Sequence, residues 1–179
     1  MAVDGSSVAC LPNLGVLMDD AVRLVRAGDG EPLGDPAGVR DRFLIDGTDA
    51  DGRFALVQHL FPPKALLAPM HRHHLEDEYS YVMYGRIGAI LGDEEVVAGP
   101  GDLLFKPRGQ WHTAWNAGDG PAAVLELISP AGLEQFFRWI DTRQEFPGPE
   151  ELAEAAARYR CDLDPDATGH LVERHGLTF

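Results

Sequence analysis

Short hydrophobic segments recur through the middle of the chain and predict a series of β-strands. They are rich in β-branched and aromatic residues, and Gly, Pro or Asp separates most of them. Closely spaced strands with turns between them predict an antiparallel sandwich or barrel. Gly92-Asp93 is typical of a hairpin turn between two of them. The predicted strands are FALVQHLF (54–61), YSYVMYG (79–85), RIGAIL (86–91), EEVVA (94–98), DLLFK (102–106), WHTAW (111–115) and AAVLELI (122–128).

The hydrophobic spacing changes to a helical period after residue 129. Apolar residues then follow the i, i+3, i+4, i+7 rule of a helix that packs one face on a core, with Ser129 as the expected cap and Pro130 in the first turn. PEELAEAAARYR predicts a second helix opened by Pro149, and Asp164-Pro165 predicts a third, weaker one. The residues that carry the first pattern are Leu133, Phe136, Phe137 and Ile140.

These patterns divide the chain into three parts. Residues 1–50 are rich in Gly, Asp and Pro and predict an N-terminal arm with one or two edge strands. Residues 51–128 form the predicted barrel, and residues 129–179 form a helical tail that packs on it. No internal repeat is visible, so we expect one barrel rather than two. The predicted fold class is all-β with C-terminal helices.

The charge and the cysteine content indicate which classes of partner and which cellular compartment to expect. Fifteen Lys and Arg against 29 Asp and Glu give a net charge of −14, so neither nucleic acid nor an anionic membrane is an expected partner. Cys10 and Cys161 are far apart and predict free thiols in a reducing cytosol. The N-terminus carries Asp4 and no basic region before its apolar residues, which does not fit a signal peptide. We therefore expect a cytoplasmic protein.

Three histidines and a glutamate have the spacing of a metal site. His71 and His73 are two residues apart, so a strand places both imidazoles on one face and turns His74 to the other. Glu78 is an odd step from His73, so the chain between them must bend if both bind one ion. His112 would join from a distant strand.

Imidazole and carboxylate donors suit one divalent transition metal ion such as Fe, Mn, Co, Ni, Cu or Zn. Four protein ligands leave one or two coordination positions open for water, dioxygen or a chelating substrate. The other histidines considered, His59, His170 and His175, are interpreted as core or surface residues.

The same residues resemble the two motifs of the cupin superfamily. The first motif, G-x5-H-x-H-x3–4-E-x6-G, is matched at its two histidines, its glutamate and Gly85, and it departs at its opening glycine, where Ala65 stands. The second motif, G-x5-P-x-G-x2-H-x3-N, is matched at every position: Gly101, Pro107, Gly109, His112 and Asn116. The resemblance implies a jelly-roll barrel (double-stranded β-helix) of six to eight strands, with a metal near its centre and often a homodimeric assembly.

Strand alternation suggests which residues surround a substrate. If Glu78 points inward, Ser80 and Val82 do as well. Ser80 either leaves room for a substrate or bonds to a neighbouring backbone group. Phe105 is a candidate for an aromatic pocket wall, with barrel core or dimer interface as the other interpretation. Either Gln58 or His59 faces inward, and Gln58 is the predicted pocket residue. The alternate residues of the Glu78 strand are expected on the opposite side: Tyr79, Tyr81 and Met83.

Two basic residues flank Pro107. Lys106 and Arg108 are expected to be solvated, with contact to an anionic substrate as the less favoured interpretation.

The resemblance extends to a function. Single-barrel cupins of the quercetinase type hold Fe, Mn, Co or Ni with three His and one Glu, and the glutamate also acts as a general base. This chain is similar to them, which implies a dioxygenase acting on a small organic molecule, with Glu78 as both ligand and catalytic base. Two alternatives stay open: a non-redox metal-dependent isomerase, cyclase or lyase, and a non-enzymatic small-molecule-binding protein.

Overall fold

The computed structural model describes residues 22–30, 32–143 and 145–178, and within these ranges it has ten strands and three α-helices. The strands are β1 (Arg40–Ile45), β2 (Ala55–Phe61), β3 (Met70–His73), β4 (Asp77–Tyr84), β5 (Ile87–Leu91), β6 (Glu94–Ala98), β7 (Leu103–Lys106), β8 (His112–Asn116), β9 (Ala122–Ser129) and β10 (Cys161–Asp164). The helices are α1 (Glu134–Asp141), α2 (Pro149–Arg158) and α3 (Pro165–His175).

The strands form two five-stranded antiparallel sheets. The first sheet has the order β1-β2-β9-β4-β7, and the second has the order β10-β3-β8-β5-β6. Side chains from both sheets share one apolar core, such as Phe61 and Val82 from the first sheet with Ile87 and Ala114 from the second. Two sheets that bury one face each against a common core are the jelly-roll arrangement, which confirms the predicted fold class.

Segments on both sides of residues 51–128 extend these sheets. β1 pairs with β2 at the edge of the first sheet, so the edge strand expected in the arm is present. The tail was predicted as helical only, but β10 pairs with β3 at the edge of the second sheet. The four residues of β10 are too short a segment for their alternation to stand out in the sequence.

The helices of the tail close one side of the barrel. Leu133 and Phe136 near α1, with Leu152 and Ala156 of α2, pack against Val57 in the first sheet. α2 and α3 begin as predicted, and the Asp164 side chain accepts a hydrogen bond from the Ala167 backbone as the α3 cap.

The first helix begins later than Ser129, the expected cap. Gly132 has φ +136°, which is outside the helical region, and the helix starts at Glu134. α3, with 11 residues, is the longest of the described helices, and none of them has the length and apolar character that a bilayer crossing requires.

One turn places a predicted ligand. Gly109 has φ +79°, a conformation that glycine adopts without strain, and its N–H donates to the His73 carbonyl at 2.7 Å. The loop before His112 is thereby tied to the strand that carries the first two histidines. Cys161 is a buried free thiol, and Cys10 lies outside the described residues.

Candidate metal centre

The four predicted ligands converge on one point in the interior. One ligand atom from each of His71, His73, Glu78 and His112 lies within 4.8 Å of the others, and all four residues are buried. The histidines come from β3 and β8 of the second sheet, and the glutamate comes from β4 of the first. The cluster therefore lies between the two sheets and bridges them.

The local chain geometry agrees with the spacing argument. His71 pairs directly with His112 across β3 and β8. Residues 74–76 leave the strand in a bend, which allows Glu78 to return towards His73. His74 points away, and its Nε2 lies 3.0 Å from the Asp162 carboxylate at the surface.

Backbone carbonyls orient two of the imidazoles. The His71 Nδ1 lies 2.7 Å from the Pro69 carbonyl oxygen, and the His112 Nδ1 lies 2.9 Å from that of Gln110. A carbonyl oxygen only accepts, so Nδ1 of each ring carries a proton, and Nε2 is the atom that faces the centre. Metal-binding histidines are commonly held in this way.

The remaining contacts in the cluster also fit a cation. His112 Nε2 is 3.1 Å from Glu78 Oε2, and His73 Nε2 is 3.4 Å from Glu78 Oε1. Within the described residues, neither ring nitrogen of His73 has a hydrogen-bond partner. Buried lone pairs that converge on a carboxylate are unfavourable without a proton or a cation between them. The donor set therefore fits a divalent transition metal ion, and it does not by itself select one.

The pKa values of the ligands show how the site is charged. Burial lowers the pKa of His71 well below its usual range, and the neighbouring His112 and His73 lower it further. Burial also opposes protonation of His73, but the Glu78 carboxylate outweighs this effect and raises the pKa to about 10. Burial favours the neutral form of Glu78, yet Lys106 and His73 hold its pKa well below its usual range. Glu78 is therefore an ionised carboxylate.

Lys106 belongs to this site, which corrects the expectation that it is solvated. It is only 3% exposed, and its Nζ lies 2.8 Å from Glu78 Oε2 and 2.5 Å from Glu126 Oε1. Lys106 pairs with Glu78 across β7 and β4, so both side chains point to the same inner face. Arg108, two residues further, lies at the surface and forms a salt bridge with Asp77 at 2.7 Å.

Further buried charges continue from Lys106 across the first sheet. Glu126 Oε2 lies 3.2 Å from His59 Nε2, and His59 Nδ1 donates to Asp41 Oδ1 at 2.6 Å. This set, the inner charge row, comprises Asp41, His59, Glu126, Lys106 and Glu78, one residue from each strand of the sheet. A lone glutamate within the apolar segment AAVLELI was the sequence feature that could have indicated it.

A cavity of about 500 Å³ adjoins the cluster and part of this row. The ligands on its wall are His71, His73 and Glu78, and the rest of the wall is largely apolar, with residues 65–69 on one side and α1 on another.

The residues predicted to surround the substrate lie elsewhere. Ser80 and Val82 face inward as expected, but Ser80 donates to Glu126 Oε1 at 3.1 Å and Val82 is part of the apolar core. Phe105 is 48% exposed on the outer face and stacks on Tyr79, because it pairs with a residue that alternates with Glu78. Gln58 also faces outward.

Gln58 and His59 exchange the roles that were predicted for them. Gln58 accepts a hydrogen bond from Arg42 at 2.9 Å and its amide lies beside Met83, on the outer face of β2. His59, its neighbour, is on the inner face and lines the cavity. Only one of two adjacent strand residues can face inward, and the inner charge row holds His59 there.

Comparison with known proteins identifies the barrel. Residues 57–128 match the model of a family described as the cupin domain. The barrel therefore resembles a cupin domain over these residues. The resemblance agrees with the two sequence motifs, with the jelly-roll sheets and with the position of the candidate ligand cluster between the sheets.

Two proteins from polyketide biosynthesis resemble this chain. The tetracenomycin polyketide synthase protein TcmJ of Streptomyces glaucescens is 34% identical over 79 residues, which are 44% of this chain and 52% of TcmJ. The chain thus spans about half the length of this curated relative. The structure of the polyketide cyclase RemF from Streptomyces resistomycificus is 27% identical, with a TM-score of 0.53 over 61% of this chain and 80% of RemF.

A third comparison supports the fold alone. The structure of KdgF from Halomonas sp. has a TM-score of 0.56 at 20% identity, and the match covers 64% of this chain and 99% of KdgF.

Proposed function

We propose that this protein is a metal-dependent cyclase that acts on a linear chain of ketones of the polyketide type. The observation that carries the proposal is a His₃Glu donor set, three of whose members lie on the wall of a largely apolar cavity of about 500 Å³. The similarity to TcmJ and to the cyclase RemF supports the substrate class. Ring closure needs no oxidant, so the site need supply only an acid, a base and a polarising cation.

The chain's own residues suit the first half of such a reaction. When bound, a divalent metal supplies Lewis acidity, which makes a C–H bond beside a carbonyl easier to deprotonate. The ionised Glu78 carboxylate is the base that accepts this proton. Lys106 holds Oε2 of the same carboxylate at 2.8 Å and so positions the base. The resulting carbanion then attacks a second carbonyl carbon in the same molecule.

The apolar wall contributes in two ways. It accommodates the hydrophobic end of a ketone chain, and it excludes water from the reacting carbon, which would otherwise be reprotonated. Phe136, Phe137 and Ile140 supply part of this surface from α1.

A dioxygenase is the second candidate, and the ligand set is the observation in its favour. Three histidines and a glutamate with open positions also suit a metal that binds dioxygen. The two candidates differ in their co-substrate. A cyclase forms its product under anaerobic conditions, whereas a dioxygenase consumes oxygen with a flavonol or another enediol-type substrate.

The test uses purified protein and a phenyl-terminated linear triketone whose other end is a methyl ketone. We expect about one metal ion per chain by elemental analysis. We also expect anaerobic conversion of the triketone to phenylresorcinol with loss of one water, measured by liquid chromatography and mass spectrometry. His112→Ala should lower metal affinity by more than the roughly 10–100-fold that loss of an outer partner costs, and activity with it.

His170→Ala is the matched control, because this histidine lies exposed on α3. It should retain both the metal and the product. Undiminished metal in His112→Ala would show that the ligand set is wrong. Oxygen uptake with flavonols and no anaerobic product would favour the dioxygenase, and tight ketone binding without turnover would favour a binding protein.

A further inference from the structure

A second polar group lines the cavity apart from the metal ligands. Asp41, His59 and Glu126 come from β1, β2 and β9, which are neighbours in the first sheet. All three residues are buried, and all three are on the cavity wall. The proposed role of Glu78 as a base leaves this group without a function in the first half of the reaction.

His59 is held in a defined orientation. Its Nδ1 donates to Asp41 at 2.6 Å, and the rings of Phe61 and Phe137 meet its imidazole edge-on at 6.4 and 5.5 Å between centroids. Its Nε2 lies 3.2 Å from Glu126 but makes no hydrogen bond within the described residues. The contact with Glu126 is an ion pair without hydrogen-bond geometry, so the Nε2–H can donate to a ligand in the cavity that His59 lines.

The charges around His59 favour a protonated imidazole. Burial alone opposes protonation, but the carboxylates of Asp41 and Glu126 outweigh it and raise the pKa of His59 to about 10. Asp141 faces the same region from α1. Its pKa is raised to about 8 by burial and by Asp41.

Cationic side chains also surround this group. Lys106 bonds the other oxygen of Glu126, Arg138 bonds Asp46 at 2.7 Å, and Arg143 lies on the cavity wall. Near neutral pH this part of the cavity therefore holds protons on two groups, His59 and Asp141.

We propose that His59 is the acid that protonates the acceptor carbonyl oxygen during ring closure, with Asp41 and Glu126 as positioning residues. This inference rests on the proposed cyclase function. The Glu78 base removes a proton from the terminal methyl carbon, and the electron pair forms the new bond to the phenyl-bearing carbonyl carbon. The π electrons of that carbonyl move to its oxygen, which takes the proton from His59 Nε2. Loss of this hydroxyl group as water, with one ring proton, and enolisation of the two remaining ketones complete the aromatic ring.

The base Glu78 and the acid His59 lie on the wall of the same cavity, so one ketone chain bound there can contact both. The donor end lies at the metal ligands, and the acceptor end lies at His59, beside Phe137. An imidazolium ion there meets the negative charge that develops on the acceptor oxygen, and general acid catalysis of this kind contributes about 10²–10⁴-fold.

The experiment separates the two halves of the reaction with the same triketone. Deuterium exchange into the terminal methyl group, followed by NMR in D₂O, reports on the Glu78 half. Formation of phenylresorcinol reports on both halves. We expect His59→Gln to lower ring closure by about 10²–10⁴-fold and exchange by less than about 10-fold. Metal content should stay that of the parent, and His170→Gln is the matched control.

The outcomes distinguish this inference from the function on which it rests. Equal ring closure in His59→Gln and the parent protein would overturn it, and so would an equal loss of exchange and ring closure in a folded, metal-loaded variant. A parent protein that shows no deuterium exchange would contradict both the proposed cyclase function and this inference. Exchange without ring closure in the parent would also contradict both, whereas ring closure that His59→Gln leaves unchanged contradicts the role of His59 alone.

Asp41→Asn provides a second test in case His59→Gln does not fold. Loss of the carboxylate should lower the pKa of His59, because Asp41 stabilises the imidazolium. The rate of ring closure falls as the pH rises, and in the variant the midpoint of this fall should lie about one pH unit or more below that of the parent. The pH profile of deuterium exchange should not change. A ring-closure profile that does not move would contradict the proposal.

Discussion

At the scale of single residues, Asp141 shows most clearly how burial changes chemistry in this protein. Its side chain is half-buried at the cavity, and its Oδ2 has no hydrogen-bond partner among the described residues. Burial and the neighbouring carboxylate of Asp41 raise its pKa from 3.8 to about 8. When a carboxyl group that the folded state holds neutral ionises, the free energy of unfolding of the protein decreases.

Asp141 predicts a pH-dependent stability. Because the folded-state pKa is above the unfolded value, its contribution is full below about pH 4 and is lost as the pH rises towards 8. Asp141→Asn removes this loss. In thermal unfolding we expect the variant to melt about 2–4 °C above the parent at pH 8–9. Near pH 4 the two melting temperatures should differ little. Asp119→Asn, in an exposed loop, is the control, and its melting temperature should change between the two pH values by the same amount as that of the parent. A gain of equal size at both would contradict the assignment.

The candidate metal ligands and Lys106 differ in how well the sequence predicted their positions. Strand parity favoured His71 and His73 over His74, and the structure places the first two in the four-residue cluster and His74 beside Asp162 at the surface. Lys106 was assigned to solvent because a lysine at the end of a strand usually reaches water. Its burial depends on Glu78 and Glu126, which lie on two other strands, and no local pattern in the sequence brings these three together.

At the scale of secondary-structure elements, β5 and β8 illustrate how close packing depends on one glycine. Gly88 pairs with Trp115 across the two strands, and Trp115 is buried between the second sheet and α3. A Cβ atom at residue 88 would overlap the Trp115 indole. The absence of a side chain at Gly88 therefore allows the ring to lie flat against the sheet.

Gly88→Ala is predicted to destabilise the barrel. The indole must shift away from its packed position, and overpacking of this kind costs about 1–3 kcal/mol. Urea unfolding measures the change, which should appear as a lower midpoint without a change in slope. Gly120→Ala is the control, since a Cβ there meets no atom within 4 Å, and it should stay within about 0.5 kcal/mol of the parent. Equal midpoints for the two variants would show that the ring adapts without cost.

Two elements departed from expectation because tertiary pairing overrode the local pattern. β10 is a strand because the free edge of β3 accepts it, and its register places Cys161 opposite His73. The start of α1 depends on Gly132, whose positive φ keeps the preceding residues out of the helix. Neither effect has a periodic signature in the sequence.

At the scale of the whole molecule, one outer surface is unusually apolar. The outward-facing side chains of β4 and β7, here called the outer apolar face, include Tyr81, Met83, Leu103 and Phe105, which are 42–58% exposed. β7 is also an edge strand. Exposed apolar side chains grouped at a sheet edge mark a surface for association.

We propose that the outer apolar face forms the homodimer that the sequence resemblance implied. The parent protein should elute at twice the 19.5 kDa mass of the chain when its mass is measured by light scattering. The double variant Leu103→Glu/Phe105→Glu should be monomeric, because a symmetric interface brings each introduced charge close to its copy. Val97→Glu, on the exposed side of β6, is the control and should stay dimeric. A monomeric parent, or a double variant that stays dimeric, would contradict the proposal.

The sequence by itself determined most of the strands, the barrel and the four candidate ligands, because these follow from features that are local or recur at a fixed spacing. His71 and His73 share a face by parity, and the motif around Gly109 carries His112. Tertiary structure decided the inner charge row and the cavity. Asp41, His59 and Glu126 meet only because β1, β2 and β9 are neighbours in one sheet, and strand order is not written in any single segment. The chemistry proposed for His59 therefore became visible only in the folded chain.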